Sequence, residues 1–290
     1  MDYFITGGTG FIGRYLIERL LKREGTVHVL VREGSRGRLE EMRAGWGEDG
    51  ERVVPVIGDL SQPNLGLDAD QIAALKGKVD AFYHLAAIYD MEADEEAIRA
   101  GNIEGTINAV DLANELEAGC FNHASSIAAA GLFKGTWRED FFDEAENLDK
   151  HPYFRTKHES ERIVRERLTV PWRIYRPGIV VGDSETGQMD KVDGPYYFFK
   201  LIQRLRDVLP PWAPTIGIEG KQINVVPVDF VADAIDHISH LDEKDGMVFH
   251  LTDPNPLRAG QIINLFARSA HAPQMSMRLD PQMLEVIPPA

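Results

Sequence analysis

The chain has 290 residues, and its 46 acidic residues outnumber its 31 basic ones, which gives a formal net charge of −15. This charge disfavours nucleic acid and anionic membrane surfaces as partners, because Coulomb repulsion would oppose each encounter. A single cysteine, Cys120, excludes an intrachain disulfide and a cysteine-based zinc site, and no apolar run approaches the length of a membrane span, so we expect a soluble, cytoplasmic protein without a metal.

Strand and helix patterns alternate along the first two thirds of the chain. Six strands are predicted, at Tyr3–Thr6, Thr26–Val31, Val53–Ile57, Val79–Leu85, Cys120–Ala124 and Trp172–Tyr175. Helices are predicted at Phe11–Arg23, near Gln71–Leu75, at Glu95–Glu117 and over about Tyr153–Arg167. The alternation indicates an α/β fold of the Rossmann type, a doubly wound parallel sheet with helices on both faces.

A glycine-rich turn, TGGTGFIG at residues 6–13, joins the first strand to the first helix. Gly7 allows the tight turn, Gly10 admits a phosphate group, and Gly13 lets the helix pack closely on the strand. Because the first N–H groups of a helix lack partners within it, a pyrophosphate would bind at the residues that open this helix, Phe11 and Ile12. The complete strand-turn-helix-strand context favours a dinucleotide site over an ordinary glycine turn.

Basic side chains follow the second strand, where a site that prefers NAD would place an acidic residue against the ribose 2′-hydroxyl. Arg32 lies at the strand tip, and Arg36 and Arg38 follow it within Glu33–Arg38, which we expect to be a loop. Guanidinium groups there could converge on a 2′-phosphate through charge-assisted hydrogen bonds. The pattern favours NADPH over NADH, while a solvated basic loop is the alternative interpretation.

Two further strand ends are expected to contact the cofactor. Asp59 and Leu60 follow the third strand, where a carboxylate could accept a hydrogen bond from the adenine amino group. Ala86 follows the fourth strand, where a small residue lets the backbone approach the cofactor. Neither signal is specific alone, because Asp59 could cap a turn and His84 could pack in the core.

The catalytic signal is a tyrosine and a lysine four residues apart, Tyr153 and Lys157, which share one face of a predicted helix. An ammonium group one turn from a phenol favours the phenolate and draws its pKa towards a pH at which it can move a proton. Ser126, after the fifth strand, could hold a substrate carbonyl oxygen beside the tyrosine, with Ser125 as its rival. Asn102 could order water or backbone groups behind the lysine.

With these motifs in order, the chain resembles the extended short-chain dehydrogenase/reductase superfamily over nearly its whole length. The resemblance implies a catalytic trio of Ser126, Tyr153 and Lys157 supported by Asn102, with the tyrosine and lysine also binding the cofactor. It further implies that backbone after Pro177 meets the nicotinamide carboxamide.

The residues beyond 178 change in character, with frequent glycine, proline and aromatic residues. We therefore predict an NADP-binding Rossmann domain at 1–178 and a smaller substrate lobe at 179–290, with 222–241 returning to the Rossmann core. An apolar tunnel is one interpretation of the lobe and a packed core is the other, on the strength of Tyr196, Tyr197, Phe198, Phe199, Trp212 and Ile216. The stretch 43–52 is expected to be an exposed loop, and 280–290 suggest a module cut from a longer protein.

Within the superfamily, the segments SSIAAAG (125–131), HPY (151–153), GQMDK (187–191) and 194–200 closely resemble the N-terminal module of bacterial two-module fatty acyl-CoA reductases. The resemblance implies NADPH-dependent reduction of long-chain fatty aldehydes or fatty acyl-CoA thioesters to the fatty alcohol. It also implies a second reductase module as a partner, and because that partner resembles acyl-CoA reductases, aldehyde reduction is favoured for this chain. Relatives form homo-oligomers, which are possible here too.

Two other functions stay open at this point. A nucleotide-sugar epimerase or dehydratase would share the fold and the trio, but it would retain NAD and need polar, diphosphate-binding residues in the lobe. Arg32 and the aromatic lobe argue against that function. A non-catalytic NADP-binding subunit is the second alternative, and the intact trio argues against it.

Overall fold

A computed structural model describes residues 1–87, 95–189 and 198–279 of the chain. The described residues contain the strands β1 (Asp2–Thr6), β2 (Val27–Val31), β3 (Val53–Ile57), β4 (Val79–His84), β5 (Cys120–Ala124), β6 (Trp172–Pro177), β7 (Ile179–Val181), β8 (Thr215–Ile218), β9 (Val225–Pro227), β10 (Met247–Leu251) and β11 (Met275–Leu279). They also contain the α-helices α1 (Phe11–Leu20), α2 (Arg36–Gly45), α3 (Ala69–Leu75), α4 (Glu95–Arg99), α5 (Gly105–Glu115), α6 (Pro152–Arg167), α7 (Phe199–Val208), α8 (Val228–Ser239) and α9 (Ala259–Ser269).

Seven of these strands form one parallel sheet in the order β3-β2-β1-β4-β5-β6-β10. The predicted Rossmann-type α/β fold is thus confirmed. The chain reverses its direction of sheet growth between β1 and β4, and in such folds ligands bind in the crevice beyond the carboxyl ends of the strands at this point. Glycine turn, strand ends and catalytic candidates all lie along this edge of the sheet.

Apolar strand residues form a core on each face of the sheet, which explains why the central strands read as continuous apolar runs. On one face, Phe4, Phe82 and Phe121 stack across β1, β4 and β5, with centroid separations of 4.8 and 5.2 Å, and α5 covers them. On the other face, α1 and α8 bury Ile5 and its neighbours. The sheet is therefore covered on both sides and its strand ends are held in fixed register.

Two predicted loops are helical. Glu33–Ser35 is a 3₁₀ turn that leads into α2, and a second 3₁₀ turn, Gly47–Arg52, follows that helix. The prediction was wrong because α2 buries only Leu39, so its sequence lacks an apolar stripe. Contacts far along the chain hold the segment instead: Arg52 donates to the backbone carbonyls of Arg23 and Gly25, the former at 2.7 Å.

The last third of the described chain returns to the sheet twice. Helix α8 packs against α1 and buries Val231 and Ile235 in the shared core. Strand β10 then pairs with β6 at the sheet edge, an element that the sequence analysis did not include. Between these returns, β7 pairs with β9, and α7 and α9 share a small apolar cluster around Ile202. The division at residue 178 stays a prediction.

Candidate active site

The turn that follows β1 is closely packed at two of its glycines. Gly7 has φ +75°, and a Cβ there would lie 2.6 Å from the backbone nitrogen of Ala86. A Cβ on Gly13 would lie 2.3 Å from the carbonyl oxygen of Gly7. Gly10 caps α1 without any side-chain hydrogen bond to the first turn of the helix. The start of α1 therefore presents backbone N–H groups with space in front of them, as an anion site requires.

A cleft of about 600 Å³ opens in front of this turn at the switch point of the sheet. Its walls come from the glycine turn, the ends of β2, β3 and β4, and the α4 region: Gly7, Thr9, Gly10, Leu30, Val31, Arg32, Ser35, Gly58, Asp59, Leu60, Ser61, Ala86, Ala87, Ala97, Ala100 and Gly101. Six predicted cofactor residues line this cleft: Gly7, Gly10, Arg32, Asp59, Leu60 and Ala86. The other predicted cofactor residues do not belong to its wall: Phe11, Ile12, Gly13, Arg36, Tyr153, Lys157 and Pro177.

The end of the cleft beside β2 and β3 carries one cation and one carboxylate. The backbone N–H and hydroxyl of Ser61 both donate to Asp59 at 2.8 Å, and these bonds, with Arg32 nearby, hold the pKa of Asp59 below its usual value. Arg32 is exposed and caps the 3₁₀ turn, and Arg36 lies 4.0 Å from Glu33 in an exposed ion pair. The structure thus places Arg32 in the cleft wall and Arg36 at the start of α2.

The two predicted catalytic residues of α6 are buried against the carboxyl end of β5. Tyr153 is 7% exposed and Lys157 is 4% exposed. The Nζ atom of Lys157 donates to the carbonyl oxygen of Ala124 at 3.2 Å, two residues before Ser126. His151 caps the helix, its Nδ1 accepting from the backbone N–H of Tyr153 at 3.1 Å. The spacing of four residues therefore directs both side chains to one face, as predicted, and that face meets the sheet edge.

Burial lowers the pKa of Lys157 to about 8, and the nearby carboxylate of Glu161 partly opposes this shift. At neutral pH the lysine still carries its proton for about 90% of the time. A protonated amine in this position stabilises a negative charge that develops next to it.

The structure separates the two candidate serines. Ser125 is buried, and its hydroxyl donates to Glu161 at 2.5 Å. Glu161 in turn forms a fully buried bidentate ion pair with Arg176, at 2.9 and 2.8 Å. Ser126 instead caps the 3₁₀ turn Ile127–Ala130 and accepts from the N–H of Ala128 at 3.1 Å, so its own proton is directed elsewhere. Ser125 therefore contributes to a buried ionic cluster, and Ser126 is the better placed to bind a substrate.

Asn102 lies in a π-helical turn, Ala100–Glu104, that interrupts the single helix predicted over Glu95–Glu117. Its side-chain amide donates to the hydroxyl of Thr156 on α6 at 3.3 Å. Turns of this kind are rare and occur often at functional sites. The predicted position of Asn102 behind the catalytic helix agrees with this contact.

Sequence reasoning overlooked the role of His84, which it treated as a core residue. The ring is 1% exposed at the end of β4, with Nδ1 2.8 Å from Thr6 Oγ1 and Nε2 3.2 Å from Thr106 Oγ1. A titratable residue at the end of an apolar strand was the only available signal. Its partners lie 78 and 22 residues away and could not be deduced from spacing.

The aromatic lobe is only partly described, because Tyr196 and Tyr197 lie outside the described residues. Trp212 is 82% and Ile216 is 69% exposed, so these two side chains enclose no tunnel in this structure. Phe199 packs edge-on against Phe266, with centroids 5.1 Å apart. Within residues 1–87, 95–189 and 198–279 there is no cluster of side chains suited to a metal ion, and no helix long and apolar enough to cross a bilayer.

Comparison with known proteins places this geometry in a family. The family model described as Male sterility protein matches residues 5–235. The linear gramicidin synthase of Brevibacillus parabrevis includes a polypeptide that is 32% identical over 266 residues, which cover 87% of this chain and 5% of that polypeptide. A protein of Drosophila melanogaster, provisionally named a fatty acyl-CoA reductase, is 31% identical over 284 residues, which cover 79% of this chain and 50% of that protein. The chain thus spans half or less of either relative.

Solved structures agree with the family match. The terminal R domain from the myxalamid PKS-NRPS biosynthetic pathway superposes with a TM-score of 0.79 at 29% identity, covering 94% of this chain and 71% of that one. The chain belongs to the NAD-binding male sterility protein family, and it is an NAD(P)-dependent reductase of the extended short-chain class.

Proposed function

We propose that this chain uses NADPH to reduce the carbonyl carbon of a long-chain fatty aldehyde or a fatty acyl thioester. The observation that carries the proposal is the docking of α6 on the end of β5. It buries Tyr153 and Lys157 next to Ser126, on the same sheet edge as the dinucleotide cleft. A proton donor, a cation and a hydroxyl at this edge suit the reduction of a carbonyl group.

The residues of the cleft fit a dinucleotide. Gly7 and Gly13 fill positions where a Cβ would collide with backbone, and the start of α1 is open in front of them. The exposed guanidinium of Arg32 at the end of β2 is the group that favours a 2′-phosphate, and hence NADPH over NADH. Asp59, held ionised by Ser61, supplies a hydrogen-bond acceptor for an adenine amino group.

Each member of the trio has a separate task in the proposed reaction. When bound, NADPH supplies the hydride that adds to the carbonyl carbon. Ser126 donates a hydrogen bond to the carbonyl oxygen and orients it, and Tyr153 transfers its phenolic proton to that oxygen as negative charge develops. The ammonium of Lys157 stabilises the phenolate that remains.

The acyl chemistry of the substrate rests on two supports. The resemblance of the catalytic segments to fatty acyl-CoA reductase modules is the first, and the Drosophila relative of that name is the second. Relatives that include a linear gramicidin synthase and a terminal R domain make a thioester a serious competitor to the aldehyde that the sequence favoured.

The test is to follow NADPH absorbance with the purified chain, offering a long-chain fatty aldehyde and the matching acyl-CoA in separate reactions. Turnover of the aldehyde alone assigns the second reduction, and turnover of acyl-CoA assigns a thioester reductase. No turnover of either substrate, in a chain shown to bind NADPH, would contradict the proposal. Tyr153→Phe serves as the control for turnover at this site.

A further inference from the structure

A buried series of hydrogen bonds connects the dinucleotide cleft with the catalytic helix. Thr6 Oγ1 lies 2.8 Å from His84 Nδ1, and His84 Nε2 lies 3.2 Å from Thr106 Oγ1. Thr106 donates to the carbonyl oxygen of Asn102 at 2.6 Å, and the Asn102 amide donates to Thr156 at 3.3 Å. These five residues are at most 2% exposed, so solvent does not compete for their bonds.

The direction of each bond follows from the groups involved. The hydroxyl proton of Thr106 is committed to the Asn102 carbonyl, so Thr106 Oγ1 accepts from His84 Nε2–H. His84 Nδ1 then accepts from the hydroxyl of Thr6. Burial, together with the nearby Lys157, lowers the pKa of His84 to about 3, so the ring stays neutral and keeps this single tautomer near neutral pH.

Both ends of the series lie at functional positions. At one end, the hydroxyl of Thr6 accepts from the N–H of Ala86, which lines the cleft, at 3.5 Å. At the other end, the hydroxyl of Thr156 donates to the carbonyl oxygen of Tyr153 at 3.2 Å. The π-helical turn lies between them, with Ala100 and Gly101 in the cleft wall and Asn102 against α6.

We propose that His84 is a positioning residue, which couples occupation of the dinucleotide cleft to the order of the first turns of α6, where Tyr153 lies. A ligand in the cleft presses on the strand ends and the π-helical turn that His84 joins, and Thr106 with Asn102 transmits the constraint to Thr156. The inference rests on the proposed function only for the role of Tyr153 as proton donor.

Two substitutions divide the two bonds of the ring. His84→Asn retains an acceptor near the Nδ1 position for Thr6 and removes the donor to Thr106. His84→Gln retains a donor near the Nε2 position and removes the acceptor for Thr6. Tyr83→Phe is the matched control, because it removes a buried hydrogen bond of 2.8 Å to Ser239 from the neighbouring residue of the same strand.

The experiment measures amide hydrogen exchange of each full-length variant with and without NADPH. In the wild type, NADPH slows exchange in residues 6–13 and in residues 152–158. We expect His84→Asn to keep the effect in 6–13 and lose it in 152–158, while Tyr83→Phe keeps both. An unchanged effect in 152–158 of His84→Asn, or no effect there in the wild type while 6–13 respond, overturns the inference.

Kinetics add a second readout. We expect His84→Asn to lower kcat about tenfold or more, as a displaced proton donor does, with the NADPH dissociation constant changed by less than about threefold. His84→Gln should keep kcat within about threefold and weaken NADPH binding instead. A wild type that binds NADPH and shows the exchange effect, but turns over neither substrate, would contradict the proposed function and leave this coupling supported.

Discussion

Replacing Lys157 with methionine should make the protein more stable and inactive. The amine is 4% exposed, and burial moves its pKa from 10.5 to about 8. At 1.36 kcal/mol per pKa unit, keeping the buried amine charged costs the folded state about 3 kcal/mol. Methionine removes this cost but also the hydrogen bond to Ala124, worth about 1 kcal/mol. The variant should gain about 2 kcal/mol at pH 7, which raises Tm by roughly 4 °C.

The same reasoning fixes the dependence of this gain on pH. Below pH 8 the lysine is protonated in both folded and unfolded chains, so its cost to the wild type is constant. Between pH 8 and 10.5 the folded chain releases the proton while the unfolded chain retains it, so the wild type gains stability relative to the variant. The advantage of Lys157→Met should therefore shrink across this window and change sign near its upper end.

The assay is denaturant unfolding of both proteins at several pH values, with NADPH-dependent turnover measured beside it. Differences between the two proteins cancel the titration of groups that they share. A variant less stable than the wild type at pH 7, or a difference that stays flat between pH 7 and 10, would refute the buried, depressed amine. Retained turnover would refute its role in the reaction.

Three other changes test separate parts of the site. Arg32→Glu should reverse the preference for NADPH, weakening its binding about tenfold or more while NADH binds no worse, and a preference that does not move would show that Arg32 is only a solvated residue. Ser126→Ala should lower kcat about 100-fold with little change in Tm, whereas Ser125→Ala should mainly lower Tm because it removes a donor from buried Glu161; the opposite pattern would exchange their roles. Gly13→Ala should destabilise the chain by about 1–3 kcal/mol and weaken NADPH binding, since its Cβ would meet backbone at 2.3 Å, and a variant with unchanged unfolding would contradict this packing.

Much of the fold could be predicted because the central strands are buried on both faces. Their apolar runs are hard to mistake, and β3 and β5 match the predicted bounds. Elements held by distant contacts were missed for the opposite reason. Helix α2 buries only Leu39, and β10 is a short segment whose pairing with β6 depends on tertiary structure.

The candidate site shows the same division between local and distant information. Parallel strands end at a common sheet edge, so residues after them could be grouped from sequence, and six predicted cofactor residues do line one cleft. The choice between Ser125 and Ser126 could not be made, because it depends on the buried pair of Glu161 and Arg176. The partners of His84 were equally hidden, since they meet only in the folded chain.

The most direct test of the proposed function compares the wild type with Tyr153→Phe in NADPH oxidation driven by a long-chain fatty aldehyde or its acyl-CoA. Loss of the hydroxyl removes the proposed proton donor and leaves the ring in its buried position. We predict turnover by the wild type and a loss of about 100-fold to 10,000-fold in the variant, with NADPH binding unchanged. Turnover that survives undiminished in Tyr153→Phe would contradict the assignment.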